Sequence, residues 1–105
     1  MKLIKAILRP EKVDDVVDAL SDEGFLAFTK VDVVGRGKQG GLRVGEFVYD
    51  ELPKTMLLIA VNDEDVAKVI EVIRSNAYTG NFGDGKIFVQ PIEEAYTIRT
   101  GERGI

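Results

Sequence analysis

The sequence predicts an α+β fold in which one β-sheet carries two helices on a single face. Three observations support this prediction: four strand-like apolar runs, two intervening segments with apolar residues at helical spacing, and the order strand-helix-strand occurring twice. Two such units make a split βαβ-βαβ arrangement, which is the ferredoxin-like sandwich. A chain of 105 residues is long enough to form one core. We therefore predict a single domain over residues 1–105.

The first unit is predicted from residues 3–34. Leu3–Leu8 is apolar almost throughout, which is typical of a central strand. A helix can begin at Pro10, whose missing N–H costs nothing there, and end at Gly24. The apolar stripe of this helix consists of Val13, Val16, Val17 and Leu20. Phe25–Val34 alternates between two faces and predicts a long second strand.

A glycine-rich segment separates the two units. Residues 35–46 contain five glycines and three basic residues, and show neither a helical nor a strand period. We predict a long mobile loop over about residues 36–52, and long loops in compact domains are commonly functional. A flexible hairpin tip is the alternative interpretation.

The second unit begins with the apolar run Met56–Val61, which predicts a third strand. Asn62 is expected to cap a second helix. The buried stripe of that helix is Val66, Val69, Ile70 and Ile73. A fourth strand is predicted at Lys86–Val89, with a break at Pro91. Ala95–Arg99 is predicted to be a last extended piece before a tail of about residues 100–105.

Composition excludes several function classes. The net charge of −4 and the pI near 4.8 argue against nucleic-acid and anionic-membrane binding. The chain has no cysteine and no histidine, so it lacks a thiol nucleophile, a thiolate metal site and the commonest general base. We expect a cytoplasmic protein that is not an enzyme, binds no nucleic acid and does not insert into a membrane.

The glycine-rich segment Thr79–Lys86 is the strongest candidate for a ligand site. Glycines remove side chains and allow positive φ, so backbone amides can converge on an anion. Lys86 adds a positive charge where the loop meets the strand. Gly-Asp-Gly is also ordinary turn chemistry, so the segment taken alone is better explained as a tight turn with a solvated lysine than as a ligand site. It is not a Walker loop, because no helix follows the lysine.

Taken together, these segments resemble the PII family of nitrogen-signalling proteins over essentially the whole chain. The matching blocks are Met1–Ile7 with Arg9-Pro10, Gly35-x-Gly37-Lys38-Gln39, Leu52-Pro53-Lys54, Thr79-Gly80-x-x-Gly83-Asp84-Gly85-Lys86-Ile87-Phe88-Val89 and Arg99-Thr100-Gly101-Glu102. The block from Thr79 to Val89 is similar to the C-terminal signature of the family and is highly specific.

The resemblance implies a homotrimer that binds ATP or ADP in clefts between subunits. In the adenine pocket it places Thr29 and the strand around Ile7. Thr29 is equally well explained by its pattern alone as a β-branched strand residue. The implied nucleotide-binding residues are Ile7, Thr29, Gly37, Lys38, Gln39, Gly83, Asp84, Gly85, Lys86 and Arg99.

The resemblance also implies 2-oxoglutarate as an effector, held by Mg²⁺ on the ATP phosphates. Gln39 is expected to contact the metal and the keto-acid, and Lys54 to pair with the distal carboxylate. Gly83 is the third implied 2-oxoglutarate position. A hard cation such as Mg²⁺ suits a chain without histidine or cysteine.

Within the family, the chain looks most like the nitrogenase-associated (NifI) branch. The evidence is the short loop and the segments 49–54 and 93–97. That branch implies a second PII-like protein as partner and inhibition of nitrogenase when fixed nitrogen is plentiful. The alternatives are a PII regulator of an ammonium channel or of glutamine synthetase and, in another class, a small nucleotide-hydrolysing enzyme.

Overall fold

A computed structural model describes residues 1–38, 40, 42–49 and 51–105 of the chain. Its strands are β1 (Lys2–Leu8), β2 (Thr29–Gly35), β3 (Leu42–Val44), β4 (Phe47–Tyr49), β5 (Leu52–Val61) and β6 (Gly85–Pro91). Its helices are α1 (Val13–Asp22) and α2 (Val66–Ala77), each entered through a single 3₁₀ turn, Pro10–Lys12 and Asp63–Asp65 respectively.

Four of these strands form one antiparallel sheet in the order β2-β5-β1-β6. Both central strands are the apolar runs predicted from the sequence, and the edge strands β2 and β6 are more polar. The two helices pack side by side on one face of this sheet. The predicted ferredoxin-like α+β fold is thus confirmed.

Strand alternation separates the core from the second sheet face. On β1, the side chains of Ile4, Ala6 and Leu8 are buried under the helices, whereas Lys5 and Ile7 point to the other face and are half-buried. The buried cluster joins this strand to β5 and to both helices. Each large aliphatic side chain in such a core contributes about 1.5–3 kcal/mol relative to exposure.

The helix-free face of the sheet carries apolar side chains without a cover. Register places Met56, Leu58 and Phe88 on this face together with Ile7 and Val31. Phe88 is 46% exposed and Val31 41% exposed. A contiguous apolar face of this kind is typical of an interface. It favours the predicted self-association, and the homotrimer stays a prediction.

The second strand begins later than predicted. The Phe25 amide donates to the Leu20 carbonyl at 2.9 Å, which closes the end of α1 before the chain joins the sheet. Pairing with β5 starts only at Thr29, opposite Leu58. The prediction of a strand from Phe25 was wrong for residues 25–28, because a helix-closing bond outweighs their alternating pattern.

The segment predicted to lack regular structure contains a small hairpin. β3 pairs with β4, with Val44 opposite Phe47 across a two-residue turn. Gly45 takes the positive φ of +61° that such turns favour. Three-residue strands are too short to show a period, so the sequence pattern did not reveal them. Mobility of residues 36–52 stays a prediction.

Further details differ from the prediction. β5 begins at Leu52 rather than at the predicted Met56. β6 continues through Pro91, opposite Lys2, because an edge strand tolerates the missing N–H. Ala95–Arg99 is not a strand: Tyr96 makes an isolated bridge to Arg103, and a turn follows at residues 98–100. Asn62 precedes the 3₁₀ turn as predicted, but its side chain makes no capping bond. Among the described residues, no helix is long and apolar enough to cross a bilayer.

Candidate functional site

The candidate site lies at the end of the sheet where β1 and β2 stop and β5 and β6 begin. Leu8 is paired with both Thr55 and Gly85. The next residues along these strands, Arg9, Lys54 and Asp84, therefore lie side by side. The glycine loop, defined here as residues 79–86, enters β6 at this end.

The Asp84 carboxylate organises the glycine loop. One oxygen, Oδ2, accepts hydrogen bonds from the backbone amides of Thr79 and Gly80, both at 2.9 Å. The other, Oδ1, accepts from the Thr79 hydroxyl and from Arg9 Nε at 3.3 Å. The Thr79 hydroxyl oxygen in turn accepts from the Asn81 amide at 3.2 Å. One carboxylate thus closes the first half of the loop on itself.

These donors also set the ionisation of Asp84. The hydrogen bond from the Thr79 hydroxyl, reinforced by the amides of Thr79 and Gly80 and by Arg9, holds the pKa of Asp84 well below its ordinary value of 3.8. Partial burial opposes this shift but does not outweigh it. Asp84 therefore stays ionised far into the acidic range.

Two cations bind carbonyl groups of the second half of the loop. Arg9 Nη2 donates to the Phe82 carbonyl at 2.8 Å, and the Lys54 ammonium donates to the Gly83 carbonyl. Partial burial, together with the charge of Arg9, lowers the pKa of Lys54 below its ordinary value of 10.5. Arg9 was not predicted to be a site residue, although the Arg9-Pro10 block marked its position. Thr79 was not predicted either, although it begins the block from Thr79 to Val89.

Gly85 is the position where the backbone admits no side chain. Its φ is +112°, and an added Cβ would lie 1.7 Å from the Ile7 carbonyl oxygen. Gly83 also has a positive φ, +98°, but an added Cβ there would meet only the Arg9 side chain at 3.2 Å. Gly85 thus allows the loop to lie directly against β1.

Several predicted site residues are brought together at this end of the sheet. Ile7 is paired with Lys86, so both lie on the helix-free face. Gly37 and Lys38 follow β2 at the same end of the sheet, although β2 is the edge strand farthest from β6. The Gly37 carbonyl accepts from the Gly40 amide at 3.1 Å. The other predicted residues of this cluster are Lys54, Gly83, Asp84 and Gly85. Gln39 lies outside the described residues.

Two predicted residues lie elsewhere within one chain. Thr29 is on β2, at the sheet edge opposite β6, so about 14 Å of sheet separates it from Lys86. Arg99 lies in a C-terminal loop closed by the bond from the Gly104 amide to the Ala95 carbonyl, 2.8 Å. The Ile92 amide holds the start of this segment to the Met1 carbonyl at 3.1 Å, at the far end of the sheet.

Two groups of predicted nucleotide-binding residues, those of the glycine loop and Thr29, also border different clefts. A cleft of about 340 Å³ lies between the glycine loop and the end of α2, and Gly85, Lys86 and Tyr78 line it. A larger cleft of about 750 Å³ lies beside Thr29 and Leu58. A single chain therefore does not form one pocket from all of the predicted nucleotide residues.

No group of three or more potential protein ligands that could hold a metal ion is found among residues 1–38, 40, 42–49 and 51–105. The site at the end of the sheet is instead rich in cations and backbone amides. Such an arrangement recognises anions, with amides and Lys or Arg side chains sharing the charge.

Comparison with known proteins identifies the family. A family model described as nitrogen regulatory protein P-II matches residues 1–102. The nitrogen fixation nifHD region GlnB-like protein 1 of Methanothermococcus thermolithotrophicus is 71% identical over 105 residues, which cover both chains completely. The nifHD2 region GlnB-like protein 1 of Methanosarcina barkeri is 57% identical over the same complete length.

A relative with a different name extends the comparison. Nitrogen regulatory protein P-II 2 of Methanothermobacter thermautotrophicus is 48% identical over 108 residues, covering 99% of this chain and 94% of that protein. The resemblance to the PII family, and within it to the nitrogenase-associated branch, is confirmed. On this evidence the chain belongs to the PII family of nitrogen regulatory proteins.

Proposed function

We propose that the protein is a nitrogen-status sensor that binds ATP or ADP and 2-oxoglutarate and regulates a target through its loop. The target that we propose is nitrogenase, inhibited when fixed nitrogen is plentiful. The proposal assigns the chain a regulatory role rather than a catalytic one, as is general for its family.

The observation that carries the proposal is the convergence of amides and cations on one end of the sheet. Arg9 and Lys54 contact the glycine loop, which ends at Lys86, and Gly37 and Lys38 follow β2 at the same end of the sheet. A nucleotide triphosphate carries several negative charges, which such a cradle can neutralise.

A second copy of the chain supplies the missing half of this site. Thr29 and Lys86 lie on opposite edges of the sheet, and the base of the Arg99 loop is at its far end. A neighbouring subunit packed on the helix-free face can bring its own Thr29 or Arg99 beside Lys86. Binding then depends on assembly, in agreement with the proposed homotrimer.

Lys54 is the proposed contact for the distal carboxylate of 2-oxoglutarate. It lies beside Gly83 in the cradle and is partly buried, where a charge-assisted bond is stronger than in water. Mg²⁺ would be held mainly by the ATP phosphates and by Gln39, since the described residues offer no carboxylate or histidine cluster for it.

Calorimetric titration with ATP, Mg²⁺ and 2-oxoglutarate, each alone and in combination, tests the ligand proposal. We expect ATP to bind alone, and 2-oxoglutarate to bind only when ATP and Mg²⁺ are present. Lys86→Ala should weaken ATP binding by about tenfold or more, because it removes a charged partner of phosphate. Lys68→Ala, an equal change of charge on exposed α2, is the control.

The outcome that would contradict the shared-metal site is binding of 2-oxoglutarate without nucleotide. Dissociation of the assembly in Lys86→Ala would mean instead that Lys86 is an interface residue. Size-exclusion chromatography with light scattering distinguishes these outcomes.

The nitrogenase target is supported by the names of the relatives, which refer to the nifHD region. The test measures nitrogenase activity with the purified protein and with a second PII-like protein, with and without 2-oxoglutarate. Linkage requires that a target released by 2-oxoglutarate must weaken 2-oxoglutarate binding by the same factor. Equal 2-oxoglutarate affinity with and without the target would rule this mechanism out.

A further inference from the structure

The Asp84 side chain places a negative charge within the proposed phosphate cradle. A carboxylate beside a bound triphosphate should weaken binding, because like charges repel at short distance. Its two oxygens, however, are fully engaged by the loop and by Arg9. The side chain is also partly buried, with 24% of its surface exposed.

The backbone amides of the glycine loop fall into two groups. The amides of Thr79 and Gly80 donate to Asp84, and that of Asn81 donates to the Thr79 hydroxyl. Within the described part of the chain, the following amides, of residues 82–84, donate to no acceptor. The first half of the loop is thus satisfied internally, and the second half offers donors to a ligand.

We propose that Asp84 is a positioning residue, which acts with Thr79 and Arg9 to hold the second half of the glycine loop open for phosphate. This inference rests on the proposed nucleotide site: the Asp84 side chain organises the loop, and the Asp84 backbone amide is among those offered to the phosphate. Asp84 accepts from the amides of Thr79 and Gly80, and Arg9 donates to the Phe82 carbonyl. Lys86 and the residue 82–84 amides are then held in a set geometry before the anion arrives.

The direction in which one substitution changes ATP affinity distinguishes a positioning role of Asp84 from simple charge repulsion. Asp84→Asn removes a negative charge from the cradle at nearly constant shape. Repulsion alone predicts tighter ATP binding in this variant. Positioning predicts weaker binding by about tenfold or more, since the new NH₂ group cannot accept from Arg9 or Thr79 and charge-assisted bonds are lost. Calorimetry with ATP and Mg²⁺ measures the difference.

Three further variants define the origin of the weaker ATP binding. Asp14→Asn makes the same change of net charge on exposed α1 and should leave ATP binding unchanged. Thr79→Ser keeps the hydroxyl that donates to Asp84 and should retain binding, whereas Thr79→Val should lose it to a similar extent as Asp84→Asn. Thermal unfolding of each variant confirms that it is folded.

Hydrogen exchange tests the loop independently of any ligand. In the free wild-type protein, the Thr79 and Gly80 amides should be protected, and Asp84→Asn should abolish that protection while the β1 amides stay protected. Unchanged protection in Asp84→Asn, or tighter ATP binding, would overturn the inference. A wild-type protein that binds no ATP but shows the expected exchange pattern would instead refute only the proposed function.

Discussion

At the scale of single residues, Gly85 makes the most restrictive demand on the chain. Gly85→Ala would force a methyl group to within 1.7 Å of the Ile7 carbonyl oxygen at a φ of +112°. Backbone strain and overpacking together should cost about 3 kcal/mol or more of the free energy of unfolding. Urea denaturation measures this loss.

The control for Gly85 is Gly24→Ala. Gly24 has a similar φ of +90°, but an added Cβ meets nothing within 4 Å. This variant should lose only about 1 kcal/mol from backbone strain. If both variants are equally stable, the close approach of the glycine loop to β1 does not exist in solution.

The lowered pKa of Asp84 predicts how the free energy of unfolding changes at acidic pH. Its pKa is lowered in the folded state, so its stabilising effect is complete above the unfolded value and is lost as pH falls through the folded value. The stability difference between wild type and Asp84→Asn should be constant above about pH 5 and shrink below about pH 4. Urea denaturation over this range measures it.

Asp63 titrates in the same direction, because the Met1 ammonium group and Lys2 lower its pKa. It is present in both proteins, so its contribution cancels in the difference. A stability difference that does not change with pH would show that Asp84 does not depend on its charge to hold the loop.

At the scale of elements, the strongly patterned segments were predictable and the closely packed contacts were not. β1, β5 and the helix stripes follow from runs and periods that a burial pattern imposes on sequence. The start of β2 at Thr29 depends on one backbone hydrogen bond at the end of α1, from the Phe25 amide to the Leu20 carbonyl. A backbone bond of this kind cannot be identified from the amino-acid composition of the segment. The hairpin β3–β4 is set mainly by a glycine turn and the pairing of short strands.

In the candidate site, too, some residues could be predicted from sequence motifs and others depend on contacts made on folding. The glycine loop and Lys54 could be found from motifs, because glycine, lysine and their order are visible in the sequence. The motifs marked the positions of Arg9 and Thr79 but not their roles, because both act by donating to the Asp84 carboxylate. Arg9 is 75 residues from Asp84 in the chain, so that contact exists only once the sheet has formed.

The contact between β5 and the glycine loop gives a prediction at this scale. Lys54→Ala should abolish the binding of 2-oxoglutarate in the presence of ATP and Mg²⁺, while ATP affinity changes by much less. The reason is that the proposed carboxylate partner is lost, whereas Lys86 remains. Calorimetry measures both affinities, and Lys68→Ala serves as the charge control.

A related effect follows from the bond between Lys54 and the Gly83 carbonyl. A carboxylate that takes the ammonium group releases this carbonyl, so 2-oxoglutarate should change the chemical shift of the Gly83 carbonyl carbon. Full retention of 2-oxoglutarate binding in Lys54→Ala would remove Lys54 from the proposed site.

At the scale of the whole molecule, the decisive question is whether two chains build one nucleotide site. The sheet separates Thr29 from Lys86, and the C-terminal loop with Arg99 is anchored at the far end. The helix-free face with Phe88 and Val31 is the surface on which a second copy can pack. Assembly and ligand binding are then coupled, because Lys86 of the cradle lies on the same helix-free face as this surface.

Subunit mixing tests this arrangement directly. Lys86→Ala and Arg99→Ala should each weaken ATP binding while the assembly stays intact. When the two variants are co-expressed with different tags and purified through both, some interfaces combine an intact Lys86 with an intact Arg99. We expect these mixed assemblies to regain ATP binding of nearly wild-type affinity at a fraction of their sites, measured by calorimetry.

The two variants purified separately and then mixed without subunit exchange provide the control, and they should bind as weakly as each variant alone. Native mass spectrometry should show three copies in every preparation. If Lys86 and Arg99 served the same site from one chain, every site in the mixed assembly would lack one cation, and no binding would return. Recovery on co-assembly alone therefore requires a site that is built from two subunits.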